Sequence, residues 1–225
     1  MARLARIVAP GVPHHVTQRG NRRQPVFFCD ADYRTYKELL AEGCRAARVD
    51  VLAYCLMPNH VHLILVPKDE DGLRAALAET HRRYTRHVNF REGWRGFLWQ
   101  GRFASVPMDE EYLMACARYV ELNPVRAKLV RRARDWRWSS ARAHLAGRDD
   151  GLVTVAPLLR RVTDWAAFLG EGLDADALEA IRAGERTGRP LGDARFVKRL
   201  ETRLGRTLAR LKPGPKPRGD ARRER

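Results

Sequence analysis

Hydrophobic and polar positions along the first 120 residues switch repeatedly between the period of a strand and the period of a helix. After Gly11-Val12-Pro13, the segment HHVTQRG reads as a short strand running into a basic turn, Arg19 to Arg23. Tyr33, Tyr36, Leu39, Leu40, Cys44 and Ala47 then recur at helical spacing up to Arg48, with Asp30 placed to cap the start. VDVLAYCLM and HVHLILV are two strand-like runs, and Pro58-Asn59 between them is a hairpin signal. A helix is predicted from about Gly72 to Asn89, and a fourth strand in RFASVPM. A further helix starts at Asp109, where Glu110 and Glu111 suit the positive end of its dipole.

The order βαββαβ followed by a helix predicts an α+β fold on a ferredoxin-like (RRM-like) plan with an antiparallel sheet. Two crossover helices cover one face of such a sheet, and the later helix is left to cover the other. From Val125 to Leu145 the pattern predicts a helix, a turn and a second helix around RRARDWRWSSARAHL. GRDDG, Gly147 to Gly151, marks a boundary, and residues 155–170, 174–184 and 193–209 read as short amphipathic helices. From Lys212 onward only Ala221 is apolar, so a flexible basic tail is expected. The predicted division is a main domain over residues 1–147, a helical extension over 148–211 and a tail over 212–225.

Composition sharpens the class. At 44% hydrophobic residues the chain can build a core, which excludes a wholly disordered basic protein. It carries 43 Lys+Arg against 27 Asp+Glu, a net charge of +16, so the expected partner is polyanionic. The excess is divided: residues 1–150 carry +9, residues 151–185 carry −3 and residues 186–225 carry +10. The best apolar run, Val51 to Val66, is cut by Pro58, Asn59, His60 and His62, so no membrane span is expected. The N-terminus lacks a signal-peptide h-region, and Cys29, Cys44, Cys55 and Cys116 fall in no CxxC pattern. Both features predict a cytoplasmic chain with reduced thiols.

Three features carry candidate chemistry, and each has a plain structural reading beside it. In a strand, His60 and His62 project from one face, where two imidazoles can share a divalent cation or serve as an ordinary buried and exposed pair. In the helix from Asp109, Tyr112, Cys116, Tyr119 and Asn123 form one stripe beside an apolar stripe of Leu113, Ala117 and Val120. Asn123 before Pro124 also suits an N-cap. RGFLWQGRF and RARDWRWSSAR interleave arginines with aromatics, as single-stranded nucleic acid requires, although Trp136 and Trp138 are equally suited to a core. Together they match phosphodiester chemistry: a tyrosine nucleophile facing a metal that polarises phosphoryl oxygens.

The run GVPHHVTQRGNRRQPVF, YCLMPNHVHLILVP, LWQGRFASV, ARYVELNPVRAKLV and DWRWSSARAHL, over roughly residues 10–145, resembles the single-tyrosine HUH transposases, and within them the REP-associated tyrosine transposase branch. The resemblance implies a Mg2+ or Mn2+ ion on His60 and His62, with Asn123 as the polar residue completing the metal site. It implies attack by Tyr119 on single-stranded hairpin DNA, giving a 5′-phosphotyrosine and a free 3′-hydroxyl. DNA contacts are expected from Arg19, Arg22, Arg23, Arg102, Arg126 and Arg137. Lys128 stands where a glycine is common. The chain would act as a monomer or homodimer in the cytoplasm, associated with the nucleoid. Two other readings are a DNA-binding regulator that has lost transposition and a zinc hydrolase. The second is disfavoured because the HxH strand holds no Asp or Glu.

Overall fold

The computed structural model describes residues 6–209. Four strands, β1 (His14–Arg19), β2 (Val49–Met57), β3 (His60–Pro67) and β4 (Ala104–Pro107), form one antiparallel sheet in the order β2-β3-β1-β4. α1 (Asp30–Ala46) connects β1 to β2, and α2 (Gly72–Glu92) connects β3 to β4. This is the ferredoxin-like order that the alternation predicts. Pro58 and Asn59 do form the β2–β3 turn, and it is clamped by the chain that follows β1: Gly20 N–H donates to Asn59 O at 2.8 Å and Val26 N–H to Pro58 O at 2.8 Å. A Cβ on Gly20 would come within 2.3 Å of Gln24 O, so this approach needs glycine.

The pleat sorts β3 into two faces. Val61, Leu63 and Leu65 pack with Tyr36 and Leu40 of α1 and Leu73, Leu77 and Tyr84 of α2. Ile64 packs on the opposite face beneath α3 (Glu110–Glu121), the face that also carries His60 and His62. Burying each of these large side chains stabilises the fold by about 1.5–3 kcal/mol. A one-residue slip of β3 would turn its leucines toward α3 and drive its histidines into the apolar core against α1 and α2, so the apolar face fixes where the histidines point.

Local differences from the predicted elements have identifiable causes. Cys29, not Asp30, is the N-cap of α1; the Asp32 carboxylate accepts from the backbone N–H groups of Phe28 and Cys29. Asp109 does cap α3, its Oδ1 accepting from Tyr112 N–H at 3.0 Å. The helix expected from Val125 is only the single turn α4 (Asn123–Arg126). It stops in a Schellman motif, with Leu129 N–H bonding Pro124 O, Lys128 N–H bonding Val125 O and Lys128 left-handed at φ 58°. Trp136 and Trp138 are core anchors rather than surface platforms: the Trp136 indole donates to Leu56 O, and Trp138 stacks on Tyr33.

The chain after Gly147 is built onto this body. Asp150 accepts from Lys37 and Tyr54 as well as from the backbone of Leu152 and Val153, tying GRDDG to α1 and β2. α5 (Ala141–Ala146) ends just before Gly147, and α6 (Ala156–Leu159), α7 (Trp165–Gly170), α8 (Ala175–Thr187) and α9 (Ala194–Leu204) follow. Trp165, Phe168, Ile181 and Leu191 share a core with Leu113, Ala117 and Val120 of α3. Leu191, in the GRPLG stretch, forms a parallel bridge with Met108 and so covers the edge beyond β4. No helix among the described residues is long and apolar enough to cross a membrane. The four cysteines are free thiols, three of them buried. The basic tail from Lys212 lies outside the described residues.

Candidate active site

The site forms where the histidine face of β3 meets α3. His60 and His62 lie with ring centroids 4.9 Å apart, as their spacing predicts. His15 of β1 joins them: its ring stacks on His62 at 5.2 Å, with Nε2 3.0 Å from His62 Nδ1. α3 brings Tyr119 edge-on to both rings, at 5.4 Å from His62 and 5.9 Å from His15. Arg126, one turn after α3 ends, returns over the Tyr119 ring at 4.1 Å and donates to the Tyr119 carbonyl at 2.8 Å. From α8 comes Glu185, whose Oε1 is 3.6 Å from His62 Nδ1 and 3.8 Å from His15 Nε2.

Burial sets the protonation states. It lowers His15 to about 3 and His60 to about 4, with Arg19 adding to the shift at His60. His62 is held well below its ordinary value by burial and by the neighbouring His15 and His60. All three imidazoles are therefore neutral at neutral pH, the form that binds metals. His60 Nδ1 lies 2.6 Å from Asn59 Oδ1, an acceptor, so Nδ1 carries the proton and Nε2 keeps the lone pair. Tyr119 is pushed up to about 12 by burial and then by Glu185, against the opposing pull of Arg126 and Arg182. Its phenol is protonated at neutral pH and needs an electrophilic partner to ionise. Burial also raises Glu185, opposed by the Tyr119 hydroxyl and by Arg19, Arg126 and Arg182.

A cavity of about 330 Å³ opens over this cluster, lined by His60, His62 and Glu185 with Thr17, Arg19, Arg102 and Arg186. Of the residues singled out in the sequence, His60, His62, Arg19 and Arg102 line this cavity, and Tyr119, which is buried and does not line it, packs against His62. Arg126 lies against the tyrosine. Asn123 is the nearly buried first residue of α4; Leu122 holds the N-cap position, so the Asn123 side chain makes no cap bond. Arg22 and Arg23 are exposed in the turn after β1, both left-handed at φ 53° and 62°. Arg137 lies elsewhere: it pairs with Asp30 at 2.8 Å and covers the Trp138 ring, next to α1.

His15, Arg186 and Glu185 complete the site and were not predicted. His15 could have been found, because HHVT places it on a strand that must pair with the HxH strand. Nothing in the sequence marks Glu185, which lies 123 positions beyond His62 on a helix whose packing partner cannot be read from its own pattern.

The donor chemistry fits a divalent cation. Imidazole and carboxylate together are ligands that divalent transition-metal ions accept, and the Oε1 of Glu185 is buried with no hydrogen-bond partner.

Comparison with known proteins bears on the family and the fold. A Haemophilus influenzae protein described as a candidate REP-associated tyrosine transposase is 24% identical over 116 residues, 47% of this chain. The match spans 66% of that relative's length, just under two thirds. A solved structure of a REP-associated tyrosine transposase bound to a REP hairpin has the same fold, with a TM-score of 0.57 and 20% identity over 68% of this chain and 92% of that one. The sequence profile of the IS200-like transposases matches residues 10–123, half of the chain, and runs from the segment before β1 through Tyr119 to Asn123. The chain belongs to the IS200-like transposase family.

Proposed function

We propose that the protein nicks and rejoins single-stranded DNA at hairpin-bearing sites through a covalent tyrosine intermediate. The observation that carries this reading is the convergence of Tyr119 with His60 and His62 under a cavity rimmed by Arg19 and Arg102. The phenolic oxygen of Tyr119 attacks phosphorus, the bond from phosphorus to the 3′-oxygen breaks, and in balance the proton lost by the phenol is the one taken up by the departing 3′-oxygen. The products are a 5′-phosphotyrosine and a free 3′-hydroxyl. Attack by a 3′-hydroxyl on the phosphotyrosine reverses the step and regenerates the phenol.

His60 and His62 would hold a Mg2+ or Mn2+ ion, with Asn123 as an oxygen donor. Such an ion supplies Lewis-acid polarisation of the phosphoryl oxygens. Arg126 fixes the tyrosine ring and lowers the cost of its ionised form. Arg19 and Arg102, with Arg22 and Arg23 in the adjoining turn, draw the strand in by its phosphates, and this contact is sequence-independent. Choice of a REP-like hairpin, as in the relative solved with one, belongs to the same proposal.

The test incubates labelled single-stranded hairpin DNA with the protein and Mn2+. Wild type forms a nicked product and a covalent adduct; Tyr119→Phe forms neither, and chelation or His60→Ala suppresses both. Hairpin binding without cleavage under every metal would favour a regulatory role instead.

A further inference from the structure

Glu185 is an unusual residue to find in this cavity, because it comes from the extension that follows the region matched by the family profile, which ends at residue 123. α8 is anchored independently of it: Ile181 is fully buried, and Gly184 lets Leu191 approach within 3.2 Å of where a Cβ would sit. The carboxylate is thus held against the histidines by packing. Its Oε1 is buried without a hydrogen bond, a costly arrangement unless a cation or a proton occupies the gap.

The spacing of the donor atoms suits a cation. His15 Nε2 and His62 Nδ1 are 3.0 Å apart, and Glu185 Oε1 is 3.8 Å and 3.6 Å from them. A point lying about 2.0 Å from all three atoms exists at the centre of this triangle, matching the bond lengths of small divalent cations to imidazole and carboxylate. Two neutral imidazoles and one carboxylate are a donor set suited to manganese, iron or zinc.

We propose that His15 Nε2, His62 Nδ1 and Glu185 Oε1 form a divalent-cation site, with the carboxylate supplied by the C-terminal extension. The site rests on the metal-assisted reading above for its role, and on these three atoms for its existence. It has a consequence for His62. A neutral imidazole has a single lone-pair nitrogen, so a cation on Nδ1 leaves the proton on Nε2 and removes His62 from a cation held with His60. The two positions are alternatives that share one ligand, and α8 holds the ligand that decides between them.

The test titrates Mn2+ into the full-length protein by calorimetry and Co2+ by visible absorption. His60→Ala is expected to retain one cation per chain. Glu185→Gln, alone or with His60→Ala, is expected to weaken binding by about tenfold or more and to change the Co2+ spectrum, with Glu185→Asp recovering part of the affinity. Asp176→Asn removes an exposed carboxylate from the first turn of the same helix and is expected to change neither readout. Loss of all cation binding in His60→Ala, or a Glu185→Gln titration that matches wild type, would overturn the proposal. Neither result depends on DNA cleavage. A Tyr119→Phe protein that still forms an adduct would sink the nucleophile while leaving this cation site standing.

Discussion

Glu121 is fully buried at the end of the helix that carries Tyr119, and replacing it by glutamine is the most demanding stability test of how that helix is held. Its Oε1 accepts from Ser140 Oγ at 2.6 Å and from His144 Nδ1 at 2.6 Å, and its Oε2 accepts from the Trp165 indole at 2.8 Å. One carboxylate thus joins α3, the start of α5 and the extension helix α7. In Glu121→Gln the amide oxygen can still accept from Ser140 and His144, but the amide nitrogen then faces the Trp165 N–H, donor against donor. An unpaired buried donor costs about 1–3 kcal/mol, and the two remaining bonds lose their charge assistance, so a total of about 3 kcal/mol is expected. For a chain of this length that corresponds to a fall in melting temperature of about 6–12 °C. Thermal melts followed by circular dichroism would measure it, and Trp165→Phe with the double variant would complete a cycle. The two losses should be non-additive by about 1 kcal/mol or more, because each variant breaks the same bond. A drop below about 2 °C, or strictly additive losses, would refute the idea that this carboxylate ties the extension to the helix that carries Tyr119.

Other expectations follow from single features. His14 donates from Nδ1 to Val12 O at 2.7 Å and accepts at Nε2 from Ala9 N–H at 3.1 Å, so the neutral ring satisfies both neighbours. Burial lowers it to about 4 from an ordinary 6.5. Between those values the unfolded chain binds the extra proton, so stability falls as pH drops from about 6.5 towards 4; denaturant midpoints that stay flat over that window would contradict this. Lys128→Gly should stabilise by about 0.5–1 kcal/mol in a denaturation curve, because the left-handed position it occupies favours glycine. Arg126→Gln should slow adduct formation about tenfold at neutral pH while changing DNA affinity less, since Arg126 favours the ionised tyrosine; equal losses in both would assign it to DNA contact instead. Deleting residues 212–225 removes six Lys and Arg, and the slope of log affinity against log salt should fall by up to about 4 with cleavage chemistry intact.

The alternation of residues carried most of the fold. Val61, Leu63 and Leu65 on one side of β3 and His60 and His62 on the other are a period-two pattern, and it puts both histidines on the face beneath α3. The stripe of Cys116, Tyr119 and their apolar neighbours likewise set which side of α3 meets the sheet. The region after Asn123 was less legible. The predicted helix there is cut short by a Schellman turn whose left-handed position is filled by Lys128 instead of the expected glycine, so the stop signal was disguised. GRDDG reads as a boundary in composition, yet Asp150 makes it a junction with Lys37 and Tyr54. His15 is legible only through the ferredoxin-like plan, in which β1 pairs with β3, and not through its own strand's pattern. Glu185 required the docking of α8, a contact between residues far apart in the chain that amphipathic spacing alone leaves undetermined.

Among all these measurements, identifying the residue that becomes linked to DNA bears most directly on the function. The wild-type protein would be reacted with single-stranded hairpin DNA and Mn2+, digested with nuclease and trypsin, and analysed by mass spectrometry. Cleavage after Arg118 and Arg126 releases the peptide YVELNPVR, which contains Tyr119 as its only tyrosine. That peptide should carry a 5′-linked nucleotide on Tyr119, and the modification should vanish in Tyr119→Phe. A nucleotide found on Tyr112 or on any other residue, or an adduct that survives Tyr119→Phe, would contradict the account.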